Sequence, residues 1–176
     1  PPAMTLCKSG YNVFQFTNST EQALRDFAAL ARNAGITTCT DLAGSAILAP
    51  KTYDMTTRVT SEAAFPMRLV QYNIPAMPGD AADFSEVAER VVELRRNNSD
   101  KLRSPGIKFV LDGSIQGFSA LIKEPGYFSG EDHGQLLAVP EQLKDWLLPF
   151  HKAGLNIHMH CNGNKTQDLA LETIEA

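Results

Sequence analysis

Cysteines, basic stripes and long hydrophobic runs are all scarce in this sequence, and each shortage excludes a class of protein. The three cysteines are odd in number and far apart, so we expect no disulfide framework and favour a reducing compartment, the cytoplasm. The formal net charge is -4 and no stripe of Lys and Arg could neutralise phosphates, so nucleic acid is not expected as a partner. No apolar run approaches the roughly 18 residues of a membrane helix, so no membrane partner is expected either.

The composition is that of an ordinary globular domain. The chain has 176 residues, of which 43% are hydrophobic and 20% are charged. That is enough chain to bury a sizeable core. We find no internal repeat, low-complexity segment or linker, so residues 1–176 are interpreted as a single domain.

Apolar residues three and four positions apart predict five helices. These are Ser19–Asn33, a weaker stretch within 52–64, a helix that follows Asp83, one at about 140–152, and one that begins at Lys165. Asn18 and Glu21 are predicted to form the capping box of the first helix, and Asp83 and Glu86 that of the third.

Four short segments of strand character, 36–42, 67–74, 106–112 and 154–160, alternate with these helices. Unbroken alternation indicates parallel strands joined by crossover helices, as in an open doubly wound sheet or a (β/α)8 barrel. No G-x-G-x-x-G follows a strand to support a dinucleotide-binding sheet. About four βα units fit here, whereas a complete barrel takes roughly 250 residues. The last helix also breaks off at "LETIEA", so the chain is expected to be the central fragment of a barrel.

Two histidines, His158 and His160, end the last predicted strand and precede a polar turn, "CNGN". Residues two apart in a strand point to the same side, so both rings are expected on one face. Such a pair fits ligands at the mouth of a barrel, but core histidines hydrogen-bonded to the backbone would show the same pattern. The residues alone leave both interpretations open.

Two of the predicted strands lie in the segments "GIKFVLDGSIQGFSALIKEPG" and "GLNIHMHCNGNKTQDLALETIE". These segments are similar to two strand motifs of amidohydrolase family 3, a branch of the amidohydrolase superfamily of metal-dependent hydrolases. This branch includes N-substituted formamide deformylases and proteins labelled exoenzyme regulators. "AGITTCTDLAG", residues 34–44, is similar to the strand that precedes both. The order and spacing match, and the resemblance implies barrel strands two to five.

The resemblance also implies a metal site at the carboxyl-terminal mouth of the barrel, with one or two divalent cations, usually zinc. Lys108 falls where relatives often carry a lysine that CO2 converts to a carbamate, an anionic oxygen ligand. His160 falls where relatives have an imidazole ligand. The cation would activate water to hydrolyse a carbon–nitrogen bond in a small amide-type substrate. His158, Asp112 and Asn164 are candidates for supporting the ligands or contacting substrate.

Several features of the family are changed or missing. Asn164 replaces the acid of the motif "GDrA", and Phe118 stands where many relatives have Arg. The first-strand H-x-H, the sixth-strand His and the eighth-strand Asp that acts as general base have no counterpart. Lys108 and His160 alone are too few for zinc, so the fragment is expected to be inactive by itself.

Two alternatives stay open. One is a non-catalytic half-barrel that pairs with a second copy through its exposed strand edges, forming a homo-oligomer. The other is an unrelated flavodoxin-like binding protein in which both histidines are incidental. The long loop 113–135 is expected either to act as a specificity lid or to pack over the barrel end.

Overall fold

The computed structural model describes residues 20–44, 46–76, 82–128, 130 and 133–176. Helices and strands alternate throughout this part of the chain. In order they are α1 (Glu21–Asn33), β1 (Thr38–Gly44), α2 (Pro50–Thr60), β2 (Arg68–Asn73), α3 (Phe84–Arg96), β3 (Leu102–Val110), α4 (Pro140–Lys152), β4 (Asn156–His160) and α5 (Asn164–Glu175). None of the helices in the described ranges is long and apolar enough to cross a membrane.

Side-chain caps explain where two of the helices begin. Asp83 accepts hydrogen bonds from the backbone N–H groups of Ser85 and Glu86, which confirms the predicted start of α3. The prediction for α1 was wrong: its N-cap is Thr20, whose hydroxyl accepts from the N–H of Ala23. Asn18, the predicted cap, lies outside the described residues.

All four strands differ from their predicted boundaries, and β2 is one residue shorter at each end than predicted. β1 lies two residues later than predicted, and β4 begins at Asn156 instead of residue 154. β3 begins at Leu102, four residues before the predicted start, and ends at Val110, before Asp112. The register of β3 against β2 shifts between Arg103 and Gly106, where Pro105 lies. Pro and Gly within a strand usually mark such an irregularity. Because of the "SPG" sequence, the first half of β3 was not predicted as strand.

The four strands form one parallel sheet in the order β1-β2-β3-β4. Consecutive neighbours connected by helices are the arrangement of a (β/α)8 barrel. A flavodoxin-like sheet would place its second strand outside its first. The partial barrel is therefore confirmed, and the flavodoxin-like alternative is wrong. Pairing with a second copy through the strand edges stays a prediction.

Buried apolar residues form two clusters where helices cover the sheet. One joins Ile107 and Phe109 of β3 to helices α3 and α4, and it includes an aromatic group of Phe84, Phe109, Trp146 and Phe150. The other joins Leu69 and Leu102 to α1 and α2. Because side chains alternate along a strand, the residues between Ile107 and Phe109 and beyond them face away from these helices. That second face would line the interior of a closed barrel.

Replacing Phe150 by Ala is expected to lower the free energy of unfolding by about 3–5 kcal/mol. The Phe150 side chain is 0% exposed, and its ring centroid lies 5.9 Å from that of Phe109. Urea unfolding followed by circular dichroism measures the change. Phe128→Ala is the matched control, since Phe128 is fully exposed and its loss should change stability by less than about 0.5 kcal/mol. Equal effects of the two substitutions would contradict the assigned core.

Candidate functional site

The pairing of β3 with β4 brings the predicted ligands onto one face of the sheet. Lys108 lies opposite His158, and Val110 lies opposite His160. Paired residues of neighbouring strands share a face, and so do residues two apart in one strand. Since Ile107 is fully buried against the helices, Lys108, His158 and His160 lie together on the opposite face. His160 is the nearest of the three to the carboxyl-terminal rim.

Lys108 is a half-buried amine without a hydrogen bond or ion pair in the described part of the chain. Burial lowers the pKa of Lys108, and a weaker interaction with Cys161 acts in the opposite direction. Burial likewise raises the pKa of the Cys161 thiol. A lowered lysine pKa increases the fraction of neutral amine at a given pH. Only that neutral form has a lone pair that can attack an electrophile.

His160 makes a hydrogen bond that determines which ring nitrogen carries its proton. Its Nε2 atom lies 3.0 Å from the carbonyl oxygen of Gly113. A carbonyl oxygen can only accept, so Nε2 must be the donor. In the neutral ring, Nδ1 then keeps the lone pair. Metal-binding histidines usually donate their other ring nitrogen to a carbonyl or carboxylate in this way, so His160 fits a ligand that binds through Nδ1.

His158 packs on an aromatic ring deeper in the same face. The ring centroids of His158 and Tyr72 are 4.1 Å apart, with the planes tilted by 58°. The Tyr72 hydroxyl accepts a hydrogen bond of 3.3 Å from the side chain of Asn156. No sequence signal indicated Tyr72, because its position opposite Gly106 depends on the register shift between β2 and β3.

Asp112 is fully buried just beyond β3, and its carboxylate accepts four hydrogen bonds. Three come from backbone N–H groups: Leu121 at 3.2 Å, Asn162 at 2.9 Å and Gly163 at 2.8 Å. The fourth comes from the Thr166 hydroxyl at 2.8 Å. Asp112 therefore joins the loop after β3, the turn after β4 and the first turn of α5. Sequence reasoning missed Asn162, Gly163 and Thr166 as its partners.

Asn164 lies at the same rim but bonds to a loop instead of to His160. As the first residue of α5 it accepts a 2.8 Å hydrogen bond from the N–H of Lys123. The neighbouring Gly163 packs so closely on this loop that an added Cβ would lie 1.8 Å from the carbonyl oxygen of Leu121. The contact explains why only glycine fits there.

A compact loop after β3 places aromatic side chains at the rim. Hydrogen bonds between Ser114 and Ser119 close the loop, including the N–H of Ser119 to the carbonyl of Ser114 at 3.0 Å. Phe118 has a φ of 51°, a left-handed conformation that is costly for a bulky residue. Its half-exposed ring packs edge-on against Tyr127, with the centroids 5.3 Å apart.

The residues present fit one side of a metal site. Lys108 and His160 supply two potential ligands on one face, and His158 is a third candidate. Within the described ranges no three His, Cys, Asp or Glu residues are grouped closely enough to hold a metal ion. Zinc takes three or four protein ligands, so other barrel strands would have to complete the set.

Comparison with known proteins identifies a family and solved structures of similar fold. A model of the amidohydrolase family matches residues 13–176. Two solved structures share the fold: uncharacterized metal-dependent hydrolases from Pyrococcus horikoshii OT3 (TM-score 0.65, 21% identity) and Pyrococcus furiosus (TM-score 0.66, 20% identity). They match 89% and 88% of this chain, which spans 31% of each. Protein LONG AFTER FAR-RED 3 of Arabidopsis thaliana is 31% identical over 78 residues, which are 44% of this chain and 13% of that protein.

Lys108 is expected to make stability depend on pH below the ordinary lysine pKa of about 10.4. Its pKa is lowered in the folded chain, so between the two values the unfolded chain binds more protons. The free energy of unfolding should therefore rise with pH across that window. Urea unfolding at a series of pH values, in buffers freed of CO2, measures the slope.

Lys108→Met should flatten this rise. Lys51→Met, at an exposed position of α2, is the matched control and should retain it. Identical slopes for wild type and Lys108→Met would show that burial does not disfavour the charged form of Lys108.

Proposed function

Because this chain belongs to the amidohydrolase family, we propose that it carries one side of the active site of a metal-dependent hydrolase. The inferred reaction is hydrolysis of a carbon–nitrogen bond in an amide-type substrate. The observation that supports it most directly is the shared face of Lys108, His158 and His160 on paired strands. The two Pyrococcus structures, named metal-dependent hydrolases, support a metal in this fold.

Lys108 is proposed to act as a carbamate. The lone pair of its neutral amine attacks the carbon of CO2, a nitrogen–carbon bond forms, and one proton leaves the nitrogen to solvent. The product is an anionic carboxylate at the end of the side chain, with two oxygens that can each bind a cation. The lowered pKa of Lys108 supports this step because it increases the reactive amine.

His160 is proposed to bind the same cation through Nδ1, with its proton held at Nε2 by the Gly113 carbonyl. A divalent cation such as zinc, when bound, supplies Lewis acidity, which acidifies water and polarises the substrate carbonyl. His158 lies beside Lys108 in the register and would support or extend this donor set. The missing ligands and the general base are proposed to come from further barrel strands. Residues 1–176 by themselves are therefore proposed to be inactive.

The rim loop would contact the substrate beside this donor set. It begins at Gly113, whose carbonyl already contacts His160, and it presents Ile115 and Phe118 to solvent. The Tyr127 hydroxyl is engaged by the Ala120 carbonyl at 2.8 Å, so the ring of Tyr127, not its hydroxyl, faces Phe118. These side chains favour an apolar substituent on the substrate over an anionic one.

In the intact protein, Lys108→Ala and His160→Ala are each expected to abolish stoichiometric zinc binding and hydrolysis. Loss of a direct ligand should lower the affinity for zinc by more than the 10- to 100-fold expected for loss of an outer hydrogen-bond partner. Zinc content is measured by elemental analysis after dialysis. Lys108→Arg keeps the positive charge but cannot form the carbamate, so it should fail as well.

His151→Ala is the matched control, since His151 lies exposed on α4 away from the sheet face, and it should keep its zinc. Intact-mass measurement under non-denaturing conditions should show the mass of one CO2 on the wild type and not on Lys108→Arg. Full zinc occupancy in both Lys108→Ala and His160→Ala would exclude the proposed site.

A further inference from the structure

The rim beside His160 is organised by one buried carboxylate. The four donors to Asp112 come from three separate segments: the loop after β3, the turn after β4, and α5. Three of them reach the same oxygen, Oδ2, while the N–H of Asn162 reaches Oδ1. Buried donors of this kind are costly to leave unpaired. An amide at position 112 would offer one acceptor oxygen in place of two and could not satisfy all four.

Further hydrogen bonds connect this carboxylate to the ring of His160. Gly113, next to Asp112 in the chain, accepts from His160 Nε2 and from the side chain of Asn162, each at 3.0 Å. The N–H of Asn162 returns to Asp112 at 2.9 Å. The cycle therefore runs from Asp112 through Gly113 to His160 and Asn162 and back. The turn after His160 cannot shift without breaking its hydrogen bonds to Asp112. The Gly113 carbonyl cannot shift without breaking those from His160 and Asn162.

The negative charge of Asp112 favours the same position of the His160 proton as these hydrogen bonds do. Asp112 Oδ1 lies 3.8 Å from His160 Nε2, too far for a hydrogen bond but close enough for an electrostatic interaction. A negative charge at this distance favours a proton on Nε2 over one on Nδ1. The carbonyl of Gly113 favours the same tautomer.

We propose that Asp112 is a positioning residue that orients the His160 ring and keeps its proton on Nε2, so that Nδ1 presents a lone pair to the barrel interior. Its importance for catalysis rests on the function proposed above. The orientation and tautomer of His160, however, are properties of the chain without a metal. The two claims can therefore fail separately.

Nitrogen-15 NMR of the intact protein, treated with a chelator and held at about pH 9, where an ordinary imidazole is neutral, tests the tautomer. Wild-type His160 should show a protonated Nε2 whose proton exchanges slowly with solvent. A proton on Nδ1 in the wild type would overturn the proposal without any variant.

Variants test whether Asp112 is the cause. Asp112→Asn should accelerate exchange of the His160 Nε2 proton by at least tenfold, while the backbone amides within β4 stay protected. Thr166→Val removes a single donor and should accelerate it by up to about tenfold, which keeps the test decisive if Asp112→Asn does not fold. Thr173→Val, which removes a hydroxyl bonded to the Leu169 carbonyl on the same helix, is the matched control and should leave it unchanged.

Zinc titration of the same variants connects positioning to metal binding. Asp112→Asn and Thr166→Val should weaken zinc binding, the former by about 10- to 100-fold. Unchanged exchange of the Nε2 proton in folded Asp112→Asn or Thr166→Val would overturn the positioning role. If the wild type shows the expected tautomer but binds no zinc, the proposed hydrolase site fails and the positioning role stands.

Discussion

The in-register pairing of β3 with β4 determines what faces the interior of this half-barrel. Five consecutive pairs join the two strands, from Gly106 opposite Asn156 to Val110 opposite His160. If β3 were shifted by one residue in its pairing with β4, Lys108 would face the helices and the buried Ile107 would lie on the interior face. Burial of Ile107 and Phe109 against α3 and α4 opposes such a slip. The hydrophobic core and the candidate site are therefore two consequences of one register.

Close backbone contacts make this register and its rim possible. An added Cβ on Gly106 would lie 1.9 Å from the Asn156 carbonyl oxygen, so a side chain there would push the two strands apart. At the rim, Gly163 allows the turn after β4 to approach the loop after β3, where Asp112 joins them. The hydrogen bonds of Asp112 therefore stabilise the rim on which His160 lies.

The sequence was sufficient for the alternation of helices and strands, because amphipathic spacing and caps such as Asp83 are local signals. It was less informative where tertiary contacts override local chemistry, as in the "SPG" of β3, which is stabilised by pairing with β2. Lys108 and His160 were predicted as ligands from the family resemblance, and strand periodicity predicted that His158 and His160 share a face. Tyr72 and Thr166 were missed because their contacts join residues 86 and 54 positions apart.

The most direct measurement of the central claim is the position of zinc in the metal-loaded intact protein, located by anomalous X-ray diffraction. We predict zinc within about 2.0–2.2 Å of both a carbamate oxygen on Lys108 and the Nδ1 atom of His160. Zinc bound elsewhere, or bound to His160 through Nε2 with the Gly113 hydrogen bond broken, would contradict the proposed site.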